Sequence, residues 1–346
     1  MSHKVRVWFN RWFAVGYHYM NNIRHNPDGL EFEIYGTHRD AEHVSFQACD
    51  YTEIEPALPG DEYVAYCLDF CKRHKIDVFV PRWRMINIVR AIKSFEAIGV
   101  KVVACTNLEL LDVIEDKGNF YRSVEQNGLM VVPEYHLVRN VAEFKQAYDD
   151  LTSKGLGVCF KPTRSEGGLG FRVIQPNYNA LEELLDVPNV NISYERTVQI
   201  LSSVESFPEL MVMEVLEGHE YSIDCLASPT GELLAAVPRR KADGGRARLL
   251  ENVPELIRLA EEVAQFYKIP YNYNLQLKYQ GDIPKVLEIN PRMSGGLHIS
   301  CLSGVDFPYL AVKLALGHAV EKQHPEFGIL ASYVEQPVLI RKLEQS

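Results

Sequence analysis

The sequence predicts an α/β half followed by an α+β half, on three observations. At 346 residues the chain has room for two or three domains, each with its own core. Its first third alternates short apolar runs with helical segments, while later runs alternate with period two. An apolar share of 47% and a charged share of 24% belong to an ordinary folded soluble chain, neither disordered nor fibrous.

In the first third, residues 5–9, 31–35, 78–81 and 100–104 read as strands, with helices over 63–75 and 85–98. That spacing implies βαβ units and a parallel sheet. The aromatic run Trp8, Phe9, Trp12, Phe13, Tyr17 and Tyr19 reads as core and helix packing, and Tyr17 and His18 carry no ligand signal. Thr106 followed by Glu109 is a capping-box pattern that starts a helix near Asn107. The pattern changes near residue 112. A helix over 118–127 closes at Gly128, and Pro133 stops the short strand after it. Asn140 and Glu143 cap a helix through residue 150, and residues 157–162 form a strand leading into a glycine-rich loop. Residues 211–214, 221–227 and 233–238 read as antiparallel strands, with a turn at 229–231. An amphipathic helix over 254–267 precedes two strands, 274–279 and 285–290, joined by a turn at 280–282. The expected domains are 1–112, 113–205 and 206–346.

Charge and cysteine usage narrow the function classes. Forty-six acidic against 36 basic residues give a net charge of −10, which excludes a general nucleic-acid binder and leaves room only for a local basic site. No uncharged apolar run approaches the roughly 18–20 residues of a membrane span. Charges at Lys4, Arg6 and Arg11 interrupt any signal-peptide core. The seven cysteines are odd in number and scattered; Cys67 and Cys71, at helical spacing, lack a second ligand pair and read as buried apolar residues of a reducing compartment. A cytoplasmic location is expected.

Three segments carry chemistry. In KVLEINPRMSGG, from Lys285 to Gly296, period two puts Glu288 and Asn290 on one strand face and Leu287 and Ile289 on the other, with Arg292 in the loop after Pro291. Hard oxygen ligands beside an arginine suit a Mg²⁺–phosphate site. Asn274, Gln276 and Lys278 share one face of the preceding strand, so Gln276 or Asn274 could add an oxygen; a polar hairpin edge is the bland reading. In CFKPTRSEGGLG, Lys161 ends a strand and Gly167, Gly168 and Gly170 make a turn able to bring N–H groups to phosphates, although the Walker A and Rossmann spacings are missing. In MEVLEGHEYSID, a strand enters a connector that could present backbone groups to an adenine edge, with Glu220 accepting from ribose hydroxyls; an exposed strand end, where Glu is the commonest residue, is the stronger reading of this segment alone.

The order of these segments resembles the ATP-grasp superfamily, and within it the carbamoyl-phosphate synthetase and biotin carboxylase branch. The likeness covers roughly residues 80 to 310. It implies a parallel-sheet pre-ATP-grasp domain over 1–112, then an ATP-grasp fold of two α+β subdomains: a lid over 113–205 and a metal-bearing part over 206–346. It also implies that Lys117 and Lys161 contact ATP phosphates under the loop Ser165, Glu166, Gly167, Gly168 and Gly170. Glu214 and Leu216 would then form the adenine hinge, and Glu220 would bind ribose. Gln276, Glu288 and Asn290 would hold Mg²⁺, two ions in the family, with Mn²⁺ a substitute, and Arg292 would steady the transferred phosphoryl group. The chain departs from the branch in carrying one synthetase unit, no glutaminase segment, a single carboxylate in the metal set and no glycine-rich turn near Phe9–Phe13. It continues only about 50 residues past Arg292, so the biotin carboxylase C-terminal domain is expected to be absent.

Two further basic clusters stand open between ligand binding and solvated loop. Arg239, Arg240 and Lys241, followed by Arg246 and Arg248, could grip a substrate carboxylate and the forming acyl phosphate, with Arg239 and Arg240 in a catalytic role. Arg82 and Arg84 follow a strand at the sheet's carboxyl end, where open α/β sheets bind ligands. His298 is either a substrate contact or a core histidine. The resemblance implies an ATP-dependent ligase for a small carboxylate and an amine, with a homodimer as possible partner state. A non-catalytic ATP-binding regulatory module and a bicarbonate- or carbamate-activating enzyme are the alternatives.

Overall fold

The computed structural model describes residues 4–165, 167–178, 181, 185, 187, 189–242 and 246–341. The chain divides into two compact units: Met1–Leu111 with Tyr221–Leu275 and Ile289–Ser346, and Asp112–Glu220 with Gln276–Glu288.

The first unit opens with a parallel five-stranded sheet, as the alternating pattern requires. Strands β1 (Val5–Asn10), β2 (Phe32–His38), β3 (Tyr51–Ile54), β4 (Val78–Val80) and β5 (Lys101–Val102) lie in the order β3-β2-β1-β4-β5. Central β1 is buried on both faces: Trp8 stacks on Phe70 at 4.4 Å and Phe79 at 4.1 Å, while Val7 and Phe9 join the main core. The helix Gly60–His74 covers the Trp8 side, with Asp61 and Glu62 in its first turn and Lys72, Arg73 and His74 in its last, matching the helix dipole.

Several expectations change here. Strand β3 was not anticipated, because YTEI is largely exposed and shows no apolar alternation. The helix over 85–98 is two helices, Met85–Arg90 and Ile92–Ala97, broken at Ala91; no glycine or proline explains the break. Asn107, not Thr106, caps the helix Leu108–Glu115: its Oδ1 accepts from Leu110 N at 3.1 Å.

In the second unit a mixed sheet runs β6-β10-β7-β8-β9, from β6 (Tyr135–Val138), β7 (Val158–Pro162), β8 (Arg172–Ile174), β9 (Asn191–Ile192) and β10 (Leu210–Glu214). Its core holds Val138, Phe144, Leu151, Phe160 and Val212. The helix Val141–Ser153 starts at a cap box of Asn140 and Glu143, as its sequence signals, and runs three residues past the expected end. The short strand expected before Pro133 is a single bridge, Val131 to Lys285, and the strand follows the proline. Residues 211–214 pair in this sheet and not with 221–227 as expected.

The third sheet has the order β15-β14-β11-β12-β13-β16, from β11 (Glu220–Ala227), β12 (Leu233–Lys241), β13 (Arg248–Leu250), β14 (Tyr271–Gln280), β15 (Ile283–Asn290) and β16 (Ile329–Ala331). The turn between β14 and β15 passes through Gly281 at φ +59°, a conformation glycine adopts without cost. Strand β12 runs three residues beyond its expected end, so Arg239, Arg240 and Lys241 are strand residues and not a loop. Among the described residues no helix is long and apolar enough to cross a membrane.

Candidate active site

The site is built on β7. Period two sends Val158 and Phe160 into the core and leaves Cys159 and Lys161 on the opposite face. Antiparallel pairing sets Met213 of β10 opposite Cys159. The helix Lys117–Asn127 begins beside the end of β7: Lys117 N donates to Thr163 O at 3.0 Å. Asp116 caps that helix, accepting from Gly118 N and Asn119 N at 3.0 Å, and its second oxygen holds Arg164 at 2.9 Å. Lys117 is therefore fixed in the first turn with its ammonium carried toward Lys161.

Around these side chains lies a cavity of about 310 Å³, contained in the second unit, a volume at the lower end for small-molecule sites. Its walls combine an apolar set with Lys117, Lys161, Lys278, Gln276, Glu220 and Glu288. Lys117 Nζ donates to Ser165 O at 2.8 Å and lies 3.4 Å from a Glu288 oxygen. Burial pushes the Lys161 ammonium down to about 8; Glu288 opposes the shift and Lys117 adds to it. Tyr121 packs beside Lys161, its ring centre 6.0 Å from Nζ, and burial raises its phenol well above the usual range.

The segment entering β11 is pinned. Glu214, 2% exposed, takes a hydrogen bond from Glu134 N at 2.7 Å and pairs closely with Lys285. Val215 N donates to Gly157 O at 2.8 Å, and Glu217 N donates to Gln280 Oε1 at 3.1 Å. A Cβ on Gly218 would come within 2.7 Å of Tyr279 O, so this crossing needs glycine. Leu216 is thereby held as an apolar wall while the Glu214 carboxylate is spent on structure.

Of the residues singled out in the sequence, Lys117, Lys161, Ser165, Gly168, Glu214, Leu216, Glu220, Gln276 and Glu288 line this one cavity. Gly167 and Gly170 flank it in the loop with φ +61° and +75°; Glu166 lies outside the described residues. Lys278, Cys159, Phe171, Val173, Met213 and Leu287 also line it. Lys278 shares the strand face of Gln276 that the sequence shows, alternation from Lys161 would have found Cys159, and the others follow from tertiary packing alone.

The remaining candidates lie in the first unit. Arg239 is buried, its guanidinium bonded to Asp224 at 3.1 Å and to Ser294 and Ser300 at 3.3 Å, with Asp224 fully buried. Gly296 packs against this guanidinium, where a Cβ would come within 2.5 Å. Arg240 pairs with Glu251 at 2.9 Å, Arg248 lies in β13, and exposed Arg246 pairs with Glu335 at 2.6 Å. Asn290 ends β15 and accepts from Arg292 Nη2 at 3.4 Å. His298 stacks on His18 at 4.6 Å; burial first, then His18 and Arg239, hold its pKa down at about 4. Arg82 is buried and Arg84 exposed, both after β4.

The donor set fits a nucleotide and a hard cation. A desolvated lysine beside a second lysine gains most from an anion between them, which a polyphosphate supplies. Among the described residues no three His, Cys, Asp or Glu side chains gather as a metal set, so a cation here would take Glu288 and the Gln276 amide, with phosphate and water completing an octahedron.

Residues 206–337 match the family described as "ATP-grasp in the biosynthetic pathway with Ter operon". The arginine-specific carbamoyl phosphate synthase large chain of Bacillus subtilis (strain 168) is 21% identical over 345 residues, covering 90% of this chain and 30% of the relative. The carbamoyl phosphate synthase large chain of Pseudothermotoga lettingae is 23% identical over 299 residues, covering 84% and 25%. The chain thus spans less than a third of the length of these curated relatives. Among solved structures, an N5-carboxyaminoimidazole ribonucleotide synthetase in complex with ADP superposes at TM-score 0.67 with 13% identity, covering 94% of this chain and 80% of that one. The biotin carboxylase domain of Hydrogenobacter thermophilus 2-oxoglutarate carboxylase, with Mg-ADP and bicarbonate, superposes at 0.66 with 14% identity, covering 94% and 73%. Residues 206–337 thus match an ATP-grasp family, and the chain is similar in sequence to carbamoyl phosphate synthase large chains and in fold to an N5-carboxyaminoimidazole ribonucleotide synthetase and a biotin carboxylase domain.

Proposed function

We propose that this chain is an ATP- and Mg²⁺-dependent ligase that activates a carboxylate as an acyl phosphate and joins it to an amine or another nucleophile, releasing ADP and phosphate. The convergence of Lys117, Lys161 and Glu288 on one cavity is the observation that carries this reading. Lys117 and Lys161 would hold the phosphate chain, with the Ser165–Gly170 loop over it. The apolar wall at Leu216 would take the base and Glu220 the ribose hydroxyls. Glu288, Gln276 and Asn290 would hold the metal, whose charge offsets that of the β- and γ-phosphates.

In the first step a carboxylate oxygen attacks the γ-phosphorus and the bond to the β-phosphate oxygen breaks, giving ADP. In the second, the nucleophile's lone pair attacks the acyl carbon, inorganic phosphate leaves, and an amine nucleophile loses a proton. Arg292, with Arg239 or Arg240, is assigned to the developing charge, where each well-placed donor supplies about 3–4 kcal/mol. Arg246, Arg248 and His298 are kept as substrate contacts in this reading. ADP release screened against pooled carboxylates and amines tests it: substrate-dependent ADP formation that Glu288→Ala abolishes in a folded protein supports it, and undiminished release in that variant overturns it.

The relatives favour one second reading, with bicarbonate as the activated acid. Carbamoyl phosphate synthases recur among them, and one similar structure holds bicarbonate beside Mg-ADP. Bicarbonate-dependent ATP hydrolysis without any organic carboxylate would select it. Mg-ATP binding with no ADP formed under any condition would mark a regulatory module instead.

A further inference from the structure

A third lysine, Lys278 of β14, lines the cavity with Lys117 and Lys161. Period two sets Gln276, Lys278 and Gln280 on one face of the strand, with fully buried Leu277 on the other. Lys278 is half-buried, and among the described residues its ammonium makes no hydrogen bond or ion pair. Two carboxylates of the same walls are already matched: Glu288 lies 3.4 Å from Lys117, and Glu214 pairs closely with Lys285. A lysine on a solvated hairpin edge would run into water. This one is turned to a cavity with its charge unmet.

Its neighbours along the strand set its level in the cavity. After it, Gln280 Oε1 accepts from Glu217 N at 3.1 Å, and Tyr279 O accepts from Gly218 N at 2.9 Å. That end of β14 is bonded to the connector that follows Leu216, the wall assigned to the base. Before it stands Gln276, assigned with Glu288 to the cation. At about 3.4 Å per strand residue, the Lys278 backbone stands roughly 7 Å from each of these two glutamines. Cys159 on β7 marks the same level from a second strand. It lies two residues before Lys161, and its thiol donates to Glu214 O, where the connector begins, at 3.4 Å. Burial raises that thiol to about 12, and Lys161 first, then Lys278, act against the shift, so both ammonium groups lie near it.

We infer that Lys278 grips the α-phosphate and so selects nucleotides over nucleosides, an assignment that rests on the cavity being the nucleotide site. In that site Glu220 meets the ribose, while Lys117 and the cation meet the far phosphates. The α-phosphate lies between those groups, at the level of Lys278. A metal ion bridges β- and γ-oxygens, which leaves the α-phosphate to the protein. An ammonium suits it, being a point charge whose rotatable donors accept several approach angles.

Calorimetry of the full chain with ADP at fixed Mg²⁺, followed by displacement of ADP with AMP and with adenosine, tests this role. Wild type should bind AMP about tenfold or more tightly than adenosine, the worth of one hydrogen bond to a charged group. Lys278→Met should weaken ADP and AMP by a similar factor, about tenfold or more, and leave adenosine within about twofold. Lys278→Arg, which keeps the charge, should recover part of the loss. Unfolding midpoints of both variants should match wild type, because the ammonium has no partner among the described residues. AMP that competes no better than adenosine overturns the assignment. So does a loss in Lys278→Met that adenosine shares equally, which places the lysine at the base or ribose, or one confined to ADP, which places it at the β-phosphate. ADP binding untouched by Lys278→Met removes the role of Lys278 and leaves the nucleotide site standing. Wild type that binds none of the three removes the nucleotide site itself, and this role with it.

Discussion

The Lys117 ammonium sits 3.4 Å from the Glu288 carboxylate while donating to the Ser165 carbonyl at 2.8 Å. One lysine thus links the start of a helix, the strand that carries the proposed metal ligand and the glycine loop. In the proposed nucleotide complex Lys117 would turn to phosphate and Glu288 to the cation, the ion pair exchanging both partners for the ligand.

Glu288→Gln should therefore keep the fold and lose turnover. A cation's electrostatic contribution is worth several kcal/mol, so metal-dependent ADP formation should fall by roughly 10²–10³-fold. Steady-state ADP release at saturating Mg²⁺, beside an unchanged unfolding midpoint, checks this.

Lys161 sets a pH dependence. Its pKa is lowered to about 8 by burial, with Glu288 opposing and Lys117 assisting. Phosphate affinity should decline above about pH 8, and Lys161→Arg, charged throughout, should remove the decline. The sign for stability is opposite. Below pH 8 the group is protonated in both folded and unfolded chains, and its burial opposes folding in full. Between about 8 and the ordinary lysine value of 10.5 the folded chain releases the proton first, so this group's share of stability rises with pH. Nucleotide titrations and denaturant unfolding from pH 7 to 10 measure the two trends.

The glycine loop separates two substitutions. A Cβ at Gly170 would meet Pro162 at 2.7 Å and also sits at φ +75°, whereas Gly167 at φ +61° has open space around it. Gly167→Ala should cost only the left-handed backbone term, about 1–2 kcal/mol, and Gly170→Ala more. Nucleotide affinity and unfolding midpoints of the two variants should rank in that order.

Removing Lys285 strands the buried Glu214 carboxylate. Lys285→Met should lower stability by about 3–5 kcal/mol, and adding Glu214→Gln should restore part of it. Chemical denaturation of the single and double variants reads the coupling.

Much of this was legible in residue order. The strand carrying Lys161, the cap at Asn140 and the hairpin of β14 and β15 follow from period-two alternation, cap chemistry and a glycine turn. Less legible was anything decided by partners far along the chain. The strand expected over 233–238 stops short of Arg239, which stands open in the sequence between ligand binding and solvated loop, yet Asp224, Ser294 and Ser300 hold it inside the fold. Residues 211–214 look like their antiparallel neighbours locally, and only pairing with β7 assigns their sheet. Lys285 had no visible role until its partner Glu214, 71 residues away, was placed.

Calorimetric titration of Mg-ATP into the intact chain tests the central claim most directly. Binding at one site per chain is expected, weakened about tenfold or more by Lys161→Gln and made insensitive to Mg²⁺ by Glu288→Gln. No heat from Mg-ATP, or affinity left intact by Lys161→Gln in a folded protein, would contradict the assignment of this cavity to a nucleotide.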